Sequence, residues 1–254
     1  MPNLPVHLDM ALKVRKQLED PDIDSNLGCF LLGSTTPDIR AMTKGKREDT
    51  HFAPLATRKI GAGAEGLFGS HPELADKSKL GPATASFLAG YLSHLAADET
   101  WILEIYQPYF GGTSLEQQKK QANIWDRALQ LDMDRAAMDD MGDREEIRQH
   151  LQGSETEVDI GFLDGEQLAQ WREWVVNFTT WDFTWERLRF ATRRMYRDDP
   201  DASKIAEDFL LSMPDSLEEL YGLVSRDEIA TYRNKAISES VRMVKEYLGE
   251  PANR

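Results

Sequence analysis

The sequence predicts an all-α protein, and three observations lead there. Apolar residues recur at three- and four-residue intervals over most of the 254 residues, which is the spacing of one helix face. Glycine and proline cluster between these stretches rather than inside them, as turn residues do. Strand-like alternation is confined to residues 158–162.

Taken in order, Leu8, Ala11, Leu12, Val14 and Leu18 define a first helix, with Pro21 beyond its end. The apolar run 27–32 predicts a short buried helix, stopped by the breaker cluster Gly33-Ser34-Thr35-Thr36-Pro37-Asp38. Residues 40–81, rich in Gly, Pro, Lys and Asp, read as loops with at most one short helix, so an irregular segment covers about 33–81. Pro82 suits a first-turn position and opens a strongly helical stretch to about Tyr106, after which Pro108 and Gly111-Gly112 punctuate the chain. Ser114 and Gln117 have the spacing of a capping box for a helix to about Met141. Residues 165–197 carry Leu168, Trp171, Trp174, Val175, Phe178, Trp181, Trp185 and Leu188. They read as helix, bent near Thr179-Thr180, with the tryptophans as packed core. Helices over 202–213 and 226–248 complete the set. Neither repeat nor low-complexity linker interrupts the chain, so residues 1–254 read as one helical domain.

Composition narrows the function. Hydrophobic residues at 41% and charged residues at 29% describe a globular chain rather than a disordered one. The 30 Lys+Arg against 44 Asp+Glu give a net charge of −14, which speaks against nucleic acid and anionic membrane as partners. No stretch approaches the roughly 18 apolar residues of a membrane span. The charged N-terminal twenty residues lack a signal-peptide core. A cytoplasmic location and no integral membrane association are the expectations. The single cysteine, Cys29, sits in an apolar run and reads as a buried, inert thiol.

Only five histidines are present: His7, His51, His71, His94 and His150. His94 and Asp98 are four apart on a predicted helix, so both leave one face about a turn apart and can hold one divalent cation. Small neighbours Ala89, Gly90, Ala96 and Ala97 let other helices approach. Glu99 points about 100° away and reads as a cap or pairing residue. His7 near the first helix start, Asp38 after its breaker run and His51 in a polar loop each have an ordinary solvent, cap or turn role open to them. Their grouping with His94 and Asp98 makes them candidate metal ligands. His71, in the loop Gly69-Ser70-His71-Pro72, is a candidate substrate contact, and Trp101, on the face of His94 and Asp98, is a candidate for lining the pocket. His150 reads as a surface residue.

With these residues in view, the chain resembles the bacterial zinc-dependent phospholipase C family, whose superfamily includes the fungal single-strand-specific nucleases. The ordered set is His7, Asp38, His51 thirteen residues later, then His94-x-x-x-Asp98. The phrases Leu32-Gly33-Ser34-Thr35-Thr36-Pro37-Asp38 and Phe87-Leu88-Ala89-Gly90-Tyr91-Leu92-Ser93-His94 read like its cytoplasmic members. The resemblance covers about residues 2–106; the helical part at about 113–250 matches nothing beyond being helical. It implies a Zn2+ centre in which His7 holds one ion, Asp38, His51 and His94 the other, and Asp98 bridges. A metal-activated hydroxide would attack phosphorus, with Asp38 as a catalytic residue orienting it. It also implies a terminal amine ligand, for which Pro2 is placed five positions before His7 as in the fungal enzymes. The family's third site is incomplete: Glu104 stands where a further ligand is expected, and no later His-x-x-x-Glu exists. Two ions are therefore expected, and a phosphoester hydrolase acting on a small phosphorylated substrate or lipid head group. The alternative is a non-catalytic helical binding or scaffold protein with a structural or vestigial metal site. A His-Asp phosphohydrolase is set aside, since none of the five histidines is followed by Asp.

Overall fold

The computed structural model describes residues 3–112, 115–197 and 199–249, and within them every regular element is helical. Helix α1 (Leu4–Leu18) carries a proline in its first turn. Helix α2 (Pro21–Ser25) is capped by the Asp20 carboxylate, which accepts from the backbone N–H of Asp22 and Ile23. Helix α3 (Leu27–Gly33) is buried throughout, and a 3-10 turn (Thr36–Ile39) follows it.

The segment expected to be mostly loop holds three short helices, α4 (Arg40–Thr43), α5 (Glu48–His51) and α6 (Ala62–Ser70), with two 3-10 turns. Helices of four to nine residues leave little periodic signature, and two of these, α5 and α6, are held by contacts from outside themselves. Thr50 Oγ1 of α5 donates to the Pro37 carbonyl at 2.7 Å. Glu99 accepts from the N–H groups of Gly61 and Gly63 at 2.5 Å each, so a carboxylate on another helix satisfies the first turn of α6.

Helix α7 (Pro82–Trp101) opens on Pro82 as expected and runs on through π-helical turns (Ile102–Phe110) that take in Pro108. The chain therefore stays helical past Tyr106. The wider turn makes room for the proline ring. Helix α8 (Glu116–Asp140) starts after Leu115, whose side chain cannot cap it; the expected cap, Ser114, lies outside the described residues. Helices α9 (Arg144–Leu151) and α13 (Asp215–Leu223) were not expected: at 8 and 9 residues they are too short for a periodic signal. Helices α10 (Gly165–Phe178) and α11 (Arg187–Tyr196) are separate, divided just after Thr179-Thr180. Helices α12 (Pro200–Leu211) and α14 (Arg226–Leu248) complete the set, the last with a Ser225–Glu228 capping box. Residues 158–162 form no strand; Val158 and Ile160 anchor an irregular segment in the core.

Helix α7 is buried along nearly its whole length, its polar residues His94, Asp98 and Glu99 included. It packs on α14, α3, α6 and α1. Two glycines set the α3–α7 distance: a Cβ on Gly90 would lie 1.9 Å from the Phe30 carbonyl oxygen, and one on Gly33 1.9 Å from that of Phe87. Side chains there would push the helices apart, so the glycines let the end of α3 reach the middle of α7. From α14, Tyr232 donates to the Ala97 carbonyl and Ser240 to that of Ser93. Cys29 is buried with Sγ 3.2 Å from the Ser154 carbonyl, and burial pushes its thiol up to about 11, as an inert cysteine requires. Among the described residues, no helix is long and apolar enough to cross a membrane.

Candidate metal centre

Four elements bring five side chains to one point. His7 comes from α1, Asp38 from the turn after α3, His51 from the end of α5, and His94 and Asp98 from α7. Three imidazoles surround Asp98: Oδ1 lies 3.4 Å from His7 Nε2, while Oδ2 lies 3.1 Å from His51 Nε2 and 3.7 Å from His94 Nε2. His51 Nε2 is also 3.7 Å from Asp38 Oδ1 and 3.3 Å from His94 Nε2. The His7 and His94 rings stack with centroids 3.7 Å apart. Within this set His7, His94 and Asp98 form one possible cation-holding group, and Asp38, His51 and His94 a second.

Hydrogen bonds set the tautomers. His94 Nδ1 faces the Ser34 carbonyl at 2.8 Å; a carbonyl only accepts, so this nitrogen carries the proton and Nε2 of the neutral ring is bare. The Thr50 hydroxyl gives its proton to the Pro37 carbonyl, so its oxygen accepts from His51 Nδ1 at 3.3 Å, and His51 Nε2 is bare too. Two lone pairs thus face each other at 3.3 Å, an arrangement that needs a cation or a proton between them. His7 Nε2 and Asp98 Oδ1 are buried and make no hydrogen bond, a costly state for a polar atom left without a partner. Tetrahedral ligands about 2.0–2.1 Å from zinc stand about 3.3 Å apart, which is the separation seen here. The residues fit a metal ion. Both backbone-side contacts also orient the rings toward it.

Electrostatics follow from this crowding. Burial works against charge on Asp98, yet the imidazoles of His94, His51 and His7 outweigh it and hold the carboxyl well below the usual range. Asp38 is likewise lowered: burial opposes its charge, and His94 and His51 more than offset that. Burial pushes His51 down to about 4 and also lowers His7, with His94 adding to it. At His94 burial is overcome by Asp98 and Asp38, which raise it.

Sequence reading missed Arg47. Its guanidinium donates through Nη1 and Nη2 to Asp98 Oδ2 at 3.2 and 3.1 Å, and it is 7% exposed. It lies in Lys44-Gly45-Lys46-Arg47, a basic turn with every local mark of a solvated surface. Only the fold of 40–51 onto α7 buries it.

Four of the five side chains are sealed from solvent; Asp38, 27% exposed, is the exception. It borders a cavity of about 480 Å³ whose walls include Arg40, Arg127, Arg187 and Arg194 together with Trp171 and Trp174. Those two indoles stack at 4.9 Å, and Trp171 Nε1 donates to Thr35 Oγ1 in the turn that carries Asp38. The tryptophans thus divide: Trp171 is buried core, Trp174 is half-buried at the cavity and Trp181 is largely exposed.

Other candidates lie elsewhere. Trp101 does not line this cavity: it is fully buried between α7 and α8, with Nε1 donating to Asp126 Oδ1 at 3.1 Å. Glu104 is at the surface, paired with Lys235 at 2.5 Å; six positions past Asp98, it leaves a different face of the helix. His71 packs against Phe52 and Phe162, away from the cavity. His150 is exposed beside Glu146. Pro2 lies outside the described residues. Compared with models of protein families, with curated proteins and with solved structures, the chain matches none.

Proposed function

We propose that this protein is a metal-dependent phosphoester hydrolase that works with zinc. One observation carries the reading: three imidazole nitrogens and two carboxylates converge in a sealed site that opens, through Asp38 alone, on an arginine-lined cavity. Nitrogen and carboxylate donors suit zinc. His94 has one free ring nitrogen, so two ions would divide the set into Asp38, His51 and His94 on one side and His7 on the other, with Asp98 offering an oxygen to each. When bound, the metal supplies positive charge for a phosphoryl oxygen and acidifies water.

The remaining work falls to the chain. Asp38, ionised and facing the cavity, accepts a hydrogen bond from an incoming water and orients it. The Ser34 carbonyl and Thr50 hydroxyl hold His94 and His51 in the ligating tautomer. Arg47 fixes Asp98 Oδ2 and leaves Oδ1 to His7. The cavity arginines supply positive charge beside the cluster, which lets a chain of −14 accept an anionic substrate. A small phosphorylated molecule or a lipid head group satisfies these demands.

A second reading, a structural metal site without catalysis, is favoured by Arg47, whose permanent charge already balances Asp98. Metal content of protein purified without chelator, followed by a panel of phosphomonoesters and phosphodiesters, separates the two. Bound zinc with hydrolysis that Asp38→Asn abolishes is expected. Bound zinc with no turnover on any substrate leaves the structural reading, and absence of bound metal ends both.

A further inference from the structure

The cavity is unusual in its charge. Acidic residues outnumber basic ones 44 to 30 in this chain, so a basic side chain generally finds a carboxylate nearby. Yet among the described residues none of Arg40, Arg127, Arg187 and Arg194 forms an ion pair, although all four line one space. Their other bonds are to neutral groups. Arg127 Nη1 donates to Asn3 Oδ1 and Gln130 Oε1, and its Nε is buried with no partner. Arg187 Nη2 donates to the Asp182 carbonyl, its guanidinium lies 4.7 Å from the Phe178 ring centre, and its buried Nη1 has no partner. Arg194 donates to the Ala41 carbonyl at 3.3 Å. The two carboxylates in the wall offset only part of this charge. Asp38 belongs to the metal cluster, and Asp134, whose carboxyl burial raises while Arg127 and Arg187 attract it, is one acidic group against four guanidinium groups.

One phosphate needs two or three such donors. Four unpaired arginines, two of them with an unsatisfied buried N–H, provide for more. We propose that the cavity selects a phosphoester bearing a second anionic group: one phosphate faces Asp38 and the His–Asp cluster, the other anion sits among the four arginines, and the body of the ligand lies on Trp174. This rests on the hydrolase reading only for which phosphate is cleaved; the binding stands apart from it.

Calorimetric titration of the full chain with adenosine 5′-monophosphate and adenosine 3′,5′-bisphosphate, which differ by one phosphate, tests it in chelated and in zinc-loaded protein. The bisphosphate is expected to bind at least about tenfold tighter. R40Q and R194Q, at the open side of the cavity, are each expected to cut that preference several-fold, with Arg→Lys at the same positions restoring part of it. The ratio of the two affinities within one protein does not depend on the folded fraction, so a poorly folding variant cannot imitate the result. Equal affinities in both metal states, or a ratio indifferent to R40Q and R194Q, would overturn the inference. Phosphatidylcholine vesicles with and without phosphatidylinositol 4,5-bisphosphate form the second arm. Arginine-dependent sedimentation with the charged vesicles assigns the anion to a lipid head group, and a preference for the soluble bisphosphate alone assigns it to a free metabolite. Tight bisphosphate binding without turnover after zinc is restored sinks the hydrolase reading and leaves this one; turnover of monophosphates without the preference does the reverse.

Discussion

The His–Asp cluster and the arginine-lined cavity share Asp38 and are built by opposite means. In the cluster, charge is sealed away from water, and every ring is oriented by a backbone or side-chain oxygen or by stacking on its neighbour. In the cavity the charge lies on long side chains, partly open to solvent, that bond to neutral groups and keep donors spare. A metal site needs fixed short side chains, because a ligand displaced by a fraction of an ångström is lost. A site that receives an anion needs reach and unspent donors. Rigidity in one and reserve in the other follow from the elements that supply them: the tightly packed α3–α7 core for the cluster, the outer helices α4, α8 and α11 for the cavity.

The largest expected effect tests the sealed half. Asp98→Ala removes the carboxylate that faces all three histidines and leaves Arg47 buried without its partner. Zinc affinity is expected to fall at least about 100-fold, and stability by about 3–5 kcal/mol. Wild-type zinc content by mass spectrometry would show that Asp98 is no ligand. Next comes the contact that positions the cluster. Gly90→Ala puts a methyl 1.9 Å from the Phe30 carbonyl oxygen, where backbone must move, so a loss above the roughly 1–3 kcal/mol of ordinary overpacking is expected in urea unfolding. A variant as stable as wild type would mean that α3 and α7 are not held this close.

The cavity half responds to pH. Asp134, 1% exposed, has its carboxyl raised to about 7 by burial, against about 3.9 when unfolded. The folded state then holds the proton more tightly, so this group's contribution is full below about pH 4, declines as pH rises toward 7, and is constant above. Asp134→Asn, which keeps the oxygen that Asn3 Nδ2 bonds, is expected to be the more stable protein at pH 8, by at most about 4 kcal/mol. That advantage should vanish near pH 4. Melting curves at the two pH values check it, and a pH-independent difference would mean that Asp134 is ionised throughout. The smallest effect is at Glu104. Its ion pair with Lys235 lies at the surface, so Glu104→Gln should cost less than about 1 kcal/mol and leave zinc content unchanged; a loss of zinc would place it in the centre after all.

Much of the helical frame was legible because its signals are local. Pro82 and the apolar spacing of α1 and α10 act within one or two turns. The short helices α4, α5, α9 and α13 were not, since four to nine residues carry too little periodicity, and α5 leans on a partner outside itself, Pro37 for Thr50. The aromatic stretch was half legible. Helical spacing places Trp171 in the core but cannot say that its neighbour Trp174 borders a cavity, which depends on where α11 lies. Trp101 and Glu104 misled because a shared helix face cannot say which neighbour an indole packs on, and a spacing counted along the chain does not fix a shared face.

The sequence by itself determined that this is a helical protein and that His94 and Asp98 project together, since a helix places residues four apart on one face whatever surrounds it. The order His7, Asp38, His51 marked candidates without placing them. Tertiary structure alone decided that they meet, that Arg47 is buried against Asp98 and that four arginines from three helices gather unpaired at one cavity. Such meetings join residues dozens to more than a hundred positions apart, and they depend on how closely backbones approach, which Gly33 and Gly90 permit and no local pattern records.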